Sequence, residues 1–268
     1  MEKRPFAWTG EQVPVIGQGT WEIQGVEALR RGLDLGMTHI DTAEMYRTEE
    51  QVGQAIAGRR DEVFLASKVL PGNASYEGTL RACEASLGRL QTNRLDLYML
   101  HWPGRHPIRD TMRAMEKLVA DGMVRFIGVS NLDLKELQAA EAALKNERMA
   151  CNQVLYHLGD RGIERRLLPY CKERQIAVVA YSPFGHGSFP ANHPVLADIA
   201  KRHGMTTRQV VLRWVTRDDQ VFTIPKTSRP ERVPENAGGS GWQLAEQDLA
   251  AIDRAFPAPD RDVPLGMI

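Results

Sequence analysis

A closed (β/α)8 TIM barrel is the α/β fold this sequence predicts, and three observations predict it. Short runs rich in β-branched and aromatic residues recur eight times, stretches with helical apolar spacing lie between them, and no shift in composition marks a linker. Strands alternating with helical patterns argue for βαβ units and a parallel sheet. The chain has 268 residues, and a barrel of eight units typically takes about 250. A rule of about 150 residues per domain would suggest two domains, but α/β barrels commonly exceed it. The expectation is a single domain over 1–268 with its barrel core at about 13–256. An open doubly wound sheet is the competing arrangement.

Taken in order, the strand runs are VPVIGQG (13–19), THID (38–41), EVFLASK (62–68), RLDLYMLH (94–101), VRFIGVSN (124–131), ACNQVLY (150–156), IAVVAYS (176–182) and VFTIPK (221–226). The helical stretches are VEALRRGLDLG (26–36), EEQVGQAIAG (49–58), GTLRACEASLGRL (78–90), TMRAMEKLVADG (111–122) and LKELQAAEAALK (134–145). After these come IERRLLPYCKERQ (163–175), HPVLADIAKRHG (193–204) with TTRQVVLRWVTRD (206–218), and a final pair within 229–256. Gly36, Gly58, Gly122 and Gly204 sit where helix C-caps belong. The segment FAW-TGEQ-VPV (6–15) reads as a small hairpin plugging the barrel floor ahead of the first barrel strand.

Charge and composition exclude several function classes. Lys+Arg and Asp+Glu are 34 each, so the formal net charge is +0, without the basic footprint of a nucleic-acid binder. Cys83, Cys151 and Cys171 form no CxxC and no metal-type spacing, which reads as reduced thiols in a cytosolic protein. The start MEKRPFAWTGEQ has no apolar core behind its basic residues, and the apolar runs are strand-sized. Neither a signal peptide nor a membrane span is expected, and the setting is cytoplasmic. His39, His106, His157, His186, His193 and His203 show no ligand spacing with acids or cysteines, so no metal is expected. His157 and His186 remain able to approach a pocket.

The functional signal lies at the ends of the strands. A barrel of this kind carries its active site at the C-terminal ends. Those ends are Gly19-Thr20-Trp21, Asp41, Lys68, His101, Ser130-Asn131, Gln153, Tyr181-Ser182 and Lys226-Thr227. Asp96, near the start of its strand, belongs by contrast to the bottom face and to structure. Taken singly, Asp41 and Lys68 could be a plain ion pair, His101 a core histidine, and Tyr46 packing. Jointly their chemistry is coherent. A carbonyl being reduced needs a proton donor, and a free tyrosine with a pKa of about 10 is a reluctant one at neutral pH. Lys68 would lower that pKa, Asp41 would hold Lys68 charged and oriented, and His101 would hydrogen-bond the substrate carbonyl.

With these residues in hand, the sequence resembles the aldo-keto reductase family from about 13 to 256. The pieces are GQGTW (17–21), HIDTAEMY (39–46), SK (67–68), LHWP (100–103), GVSN (128–131), NQVLY (152–156), YSPFG (181–185) and IPKTSRPERVPEN (224–236), in the family's order. The resemblance implies NADPH extended across the barrel mouth and hydride passing from nicotinamide C4 to a substrate carbonyl. It implies a catalytic four of Asp41, Tyr46, Lys68 and His101, with Tyr46 the acid. Gly19, Thr20, Trp21 and Asp41 would lie beside the cofactor. Ser130, Asn131 and Gln153 would hold its carboxamide, Tyr181 would stack on the nicotinamide, and Ser182, Pro183, Phe184 and Gly185 would border the pyrophosphate. Ile224 and Pro225 lead to the adenosine end, formed by Lys226, Thr227, Ser228, Arg232, Glu235 and Asn236. Lys226 and Arg232 suit a 2′-phosphate through charge-assisted bonds, so NADP is preferred to NAD. The GxG at 17–19 reads as backbone room near the cofactor, since this family uses no Rossmann turn.

The sequence departs from the family pattern in several places. Arg47-Thr48 follows Tyr46 where the family usually has Gly-Asn; Arg47 is either a solvated side chain or a cation at the pocket rim. Leu155 stands in place of the family's Glu after NQV, and Pro234 falls inside the helix that carries Glu235 and Asn236, removing a donor and bending the turn. Only WPGRHP separates His101 from the next helix, and PAPDRDVPLGMI follows residue 256, which leaves an open pocket walled by Trp21 and Trp102 beside Tyr46 and His101. Such a pocket suits small aldehydes or 2-oxoaldehydes such as methylglyoxal, or a range of carbonyls with no single owner, and the family resemblance favours a monomer. The alternatives are an NADPH-binding sensing module with little turnover, and a metal- or phosphate-using barrel hydrolase.

Overall fold

The apolar runs of the barrel form strands buried on both faces over nearly all their length, as parallel strands between helices must be. The structure, a computed structural model, describes residues 1–268. In chain order the strands are β1 (Lys3–Pro5), β2 (Gln12–Pro14), β3 (Gln18–Gly19), β4 (His39–Asp41), β5 (Phe64–Val69), β6 (Leu95–Leu100), β7 (Val124–Ser130), β8 (Met149–Leu155), β9 (Ala177–Tyr181) and β10 (Val221–Thr223). β3 to β10 lie side by side in sequence order, and each neighbouring pair is parallel. The ring closes between its first and last strands, where Ile16 bridges Thr223 and the Gly17 amide donates to the Thr223 carbonyl at 2.8 Å. The expected closed barrel is therefore the observed fold, not the open sheet.

The helices α1 (Glu27–Asp34), α2 (Glu49–Ile56), α3 (Tyr76–Leu90), α4 (Ile108–Ala120), α5 (Leu134–Ala143), α6 (Leu167–Arg174), α7 (Pro194–His203), α8 (Thr207–Val215), α9 (Val233–Ala237) and α10 (Glu246–Ala255) follow the apolar stripes. Gly36, Gly58, Gly122 and Gly204 all have positive φ at helix ends, the left-handed stop that glycine adopts without a Cβ clash. No helix is long and apolar enough to cross a membrane. The three cysteines are buried and unpaired.

Two sequence assignments shift. The run 13–19 is not one strand: its first residues pair antiparallel in a hairpin, Lys3–Pro5 against Gln12–Pro14, and only Gln18–Gly19 continues as β3. The segment 6–11 is thus the hairpin's turn and not its first strand. Phe6 in that turn is fully buried against Phe64 and Phe222, with ring centroids 4.9 and 5.0 Å away, so the hairpin does plug the floor. The glycines of GxG also have another reason than room for a cofactor. A Cβ on Gly17 would lie 2.7 Å from the His39 carbonyl oxygen, and one on Gly19 would lie 2.6 Å from that of Ile224. Both glycines let neighbouring strands approach as the barrel closes.

Strand parity decides what faces the barrel axis. Phe64 and Ala66 on β5, Leu97 and Met99 on β6, and Cys151 on β8 pack inside with Phe6, while Leu65, Tyr98 and Val154 face the helices. Asp96 belongs to the floor as expected. It is buried and accepts from Arg60 at 2.8 Å, Arg125 at 2.9 Å and the Leu65 amide at 2.9 Å.

Candidate active site

The parity that turns Phe64, Ala66, Leu97 and Met99 inward also turns Lys68 and His101 inward one layer higher, with Asp41 two residues above His39 and Gln153 two above Cys151. Lys68 is completely buried and Asp41 is 1% exposed. The Lys68 Nζ donates to Asp41 Oδ1 at 2.5 Å and to the Thr42 carbonyl at 2.9 Å, and lies 3.4 Å from the Tyr46 hydroxyl. Gln153 Nε2 donates to the other oxygen of Asp41 at 2.7 Å. The His101 ring meets the Tyr46 ring edge-on at 5.5 Å and is tilted against Trp102 at 4.6 Å.

HIDTAEMY ends on a carboxylate and then a tyrosine because one short turn aims both at Lys68. After Asp41 the chain folds into a single 3-10 turn, Glu44–Tyr46. The Glu44 carboxylate accepts from the Leu70 amide and from Asn73 Nδ2 at 3.2 Å. The turn is thereby tied to the end of β5, the strand that carries Lys68, and the tyrosine hydroxyl is held over the ammonium. Sequence reasoning did not single out Glu44; a second carboxylate between Asp41 and Tyr46 was the available signal.

Burial and the charges of Asp41 and Lys68 compete in this cluster. Burial opposes the charge on Lys68, but Asp41 and, less strongly, Tyr46 outweigh it and raise its pKa above the usual value. The Tyr46 pKa is also raised: burial is the largest influence, the charge of Lys68 pulls the other way, and Asp41 pushes up again. The expected lowering by Lys68 is present but does not prevail, so the correction is one of sign. The half-buried phenol is thereby held in its protonated form. His101 is pushed down to about 3 by burial and by Lys68, which leaves a neutral imidazole at the mouth.

These groups line a cavity of about 570 Å³ at the C-terminal ends of the strands. Of the residues expected at a cofactor, Gly19, Thr20, Trp21, Asp41, Ser130, Asn131, Gln153, Tyr181, Ser182, Pro183, Phe184, Ile224, Pro225 and Lys226 line it. Trp102, Tyr46 and His101 stand on the same wall, and His186 stacks on Trp21 at 5.3 Å. Six expected residues lie outside. Gly185 borders a smaller hollow with His157, Thr227 and Asn236 border a narrow one beside Gly19 and Pro225, and Ser228 accepts from the Gln24 amide at 3.0 Å. Arg232 and Glu235 lie on the turn that opens α9. Lys226 and Arg232 are exposed and have no carboxylate partner. Asn131 is spoken for on both sides: Oδ1 accepts from the Tyr181 hydroxyl at 2.8 Å, and Nδ2 donates to the His101 carbonyl at 3.1 Å.

Among the departures, two expectations change and Arg47 takes the solvated side of its two alternatives. Pro234 is the second residue of α9, in the first turn, where a helix needs no backbone donor; it does not bend the helix. Arg47 is exposed, outside the cavity lining, and left-handed at φ 56°, the conformation a glycine adopts without cost. The pocket is also less open than the short loops imply. Asp262 pairs with Arg165 at 3.1 Å and Arg166 at 3.3 Å, and beyond this clamp Met267 and Ile268 complete the cavity wall. Only the tertiary fold brings those two residues there.

Barrel enzymes work at this face, and the group gathered here defines an oxidoreductase class better than a hydrolase one: a phenol hydroxyl lies 3.4 Å from a buried ammonium, with no nucleophile–base pair beside it. The chain belongs to the aldo/keto reductase family, whose model matches residues 15–256. Methylglyoxal reductase YeaE of Escherichia coli (strain K12) is 43% identical to it, with 100% of both chains covered. Glyoxal reductase of Bacillus subtilis (strain 168) is 38% identical, with 94% of each covered. The aldo/keto reductase from Klebsiella pneumoniae in complex with NADP and acetate superposes with a TM-score of 0.95 at 44% identity, over 100% of this chain and 99% of that one.

Proposed function

We propose that this protein is an NADPH-dependent carbonyl reductase acting on small aldehydes and 2-oxoaldehydes such as methylglyoxal, with Tyr46 as general acid. The observation that carries the reading is the buried ammonium of Lys68, 2.5 Å from Asp41 Oδ1 and 3.4 Å from the Tyr46 hydroxyl, beside a neutral His101. NADPH, when bound, supplies the hydride. Everything else falls to the chain. His101 orients the substrate oxygen, and Tyr46 gives it a proton as negative charge develops there. Lys68 stabilises the phenolate left behind, and Asp41 keeps Lys68 charged. The phenolate then recovers a proton from solvent.

The donors at the mouth fit a nicotinamide dinucleotide. Ser130 and Gln153 line the cavity with polar groups suited to a carboxamide, and Tyr181 offers a ring face. Lys226 and Arg232, free of carboxylate partners, favour NADP over NAD because a 2′-phosphate rewards paired cationic donors. The methylglyoxal and glyoxal reductases among its relatives favour a small dicarbonyl substrate. A single domain, a monomer and a cytoplasmic setting complete the reading.

The test is NADPH consumption with methylglyoxal, nitrobenzaldehyde, glyceraldehyde and a simple ketone, with Tyr46→Phe in parallel. Turnover that disappears in the variant while NADPH still binds supports the reading. Tight NADPH binding with no turnover on any carbonyl refutes it.

A further inference from the structure

β4 and β8 lie four strands apart in a ring of eight, so they face each other across the barrel. One hydrogen bond spans that diameter, from Gln153 Nε2 on β8 to Asp41 Oδ2 on β4, at 2.7 Å. Gln153 is 2% exposed and Asp41 1%. The carboxylate can only accept, so the amide must turn its NH2 toward it. Each Asp41 oxygen then has one side-chain donor, Lys68 on Oδ1 and Gln153 on Oδ2. Rotation of the carboxylate about its last bond would break both contacts. Gln153 Oε1 is left on the cavity side as an acceptor, ready for a donor such as an amide NH2.

We propose that Gln153 is the positioning residue of this site: its cross-barrel bond fixes Asp41, and through Asp41 the ammonium of Lys68 against Tyr46. The proposal rests on the reductase reading and goes beyond the carboxamide contact expected of Gln153. Any group that draws on Oε1 acts on the same amide that holds Asp41, so seating the cofactor and aligning the proton donor are coupled through one side chain. The titratable groups around the strut are Lys68 on β5, Tyr46 in the turn after β4, His101 after β6, Tyr181 ending β9, and His39 and Cys151 in the layer beneath.

Two variants separate positioning from simple cofactor contact, with kcat followed across pH on methylglyoxal at saturating NADPH. Gln153→Leu removes the donor and is expected to lower kcat on the order of tenfold or more, as misplaced reacting groups do. Gln153→Glu is nearly isosteric. In its acid form the O–H still donates to Asp41, and once ionised the two carboxylates repel. Its alkaline limb of kcat is therefore expected to move down by about one pH unit or more. If both variants keep the wild-type kcat and pH profile and lose only NADPH affinity, the proposal is overturned. Thermal melts over the same pH range add a readout independent of turnover. Gln153→Glu should melt below wild type by a margin that grows as pH rises. Equal melting at every pH overturns the strut even if the wild type reduces no carbonyl, an outcome that sinks the reductase reading by itself.

Discussion

Replacing Lys68 with methionine tests the proposed relay most directly, because it removes the ammonium and keeps an unbranched side chain only one atom shorter. The Tyr46 hydroxyl is 3.4 Å from Nζ. At an effective dielectric of about 20, a full phenolate at that distance gains about 5 kcal/mol from the ammonium. A transition state with the proton half transferred gains about half of that. The opposing charge of Asp41 trims the figure further, so the expected loss in kcat is on the order of tens of fold. The variant also leaves Asp41 buried with Gln153 as its remaining side-chain partner, and breaking a buried pair this way costs about 3–5 kcal/mol of stability. The assay is single-turnover reduction of methylglyoxal at saturating NADPH, at a temperature where circular dichroism shows the variant folded. A fall of less than about fivefold in a folded variant that binds NADPH normally would show that the ammonium does not support the proton donor.

Acid should destabilise the fold through His39, which is fully buried at the floor and pushed down to about 4 by burial. The unfolded chain binds the proton more readily, so this contribution is complete above pH 6.5 and is lost as pH falls toward 4, in total about 3 kcal/mol. His39→Leu should flatten urea-unfolding stability across that window, and an unchanged slope would rule the account out. Lys226→Ala and Arg232→Ala should each weaken NADPH by about 10- to 100-fold while leaving NADH nearly unaffected, measured by fluorescence titration; equal losses for both cofactors would remove the 2′-phosphate assignment. Arg47→Gly relieves a left-handed backbone and should raise stability by up to about 1 kcal/mol. Its activity on neutral aldehydes should stay as it was, because the side chain lies outside the cavity lining.

Much of this protein was legible in order along the chain. Apolar runs buried on both faces, helical stripes between them and glycines at helix ends are local patterns, and eight of them in alternation left little but a barrel. The polar strand ends were legible for the same reason: a strand whose side chains alternate announces which residue follows the core inward, so Asp41, Lys68, His101 and Gln153 could be placed on one mouth before any contact was known. The order of the motifs did the rest for the family.

What the sequence could not fix depends on groups far apart in the chain. VPVIGQG reads as one strand, yet it divides where the hairpin takes Val13 and Pro14 and closure takes Ile16 and Gly17. The sign of the Tyr46 shift follows from how deeply burial competes with Lys68, and no spacing encodes that balance. Pro234 looked disruptive until its place in the first turn of α9 was known. Met267 and Ile268 reach the cavity beyond the point where Asp262 meets Arg165 and Arg166, about a hundred residues earlier in the chain. The bond from Gln153 to Asp41 joins opposite sides of the ring. By itself, then, the sequence determined the fold, the family and which side chains reach the mouth, because strand and helix periodicities are local. The tertiary structure alone decided which oxygen faces which donor, how far burial outweighs charge and where the tail lies, because those depend on distances that only a closed barrel sets.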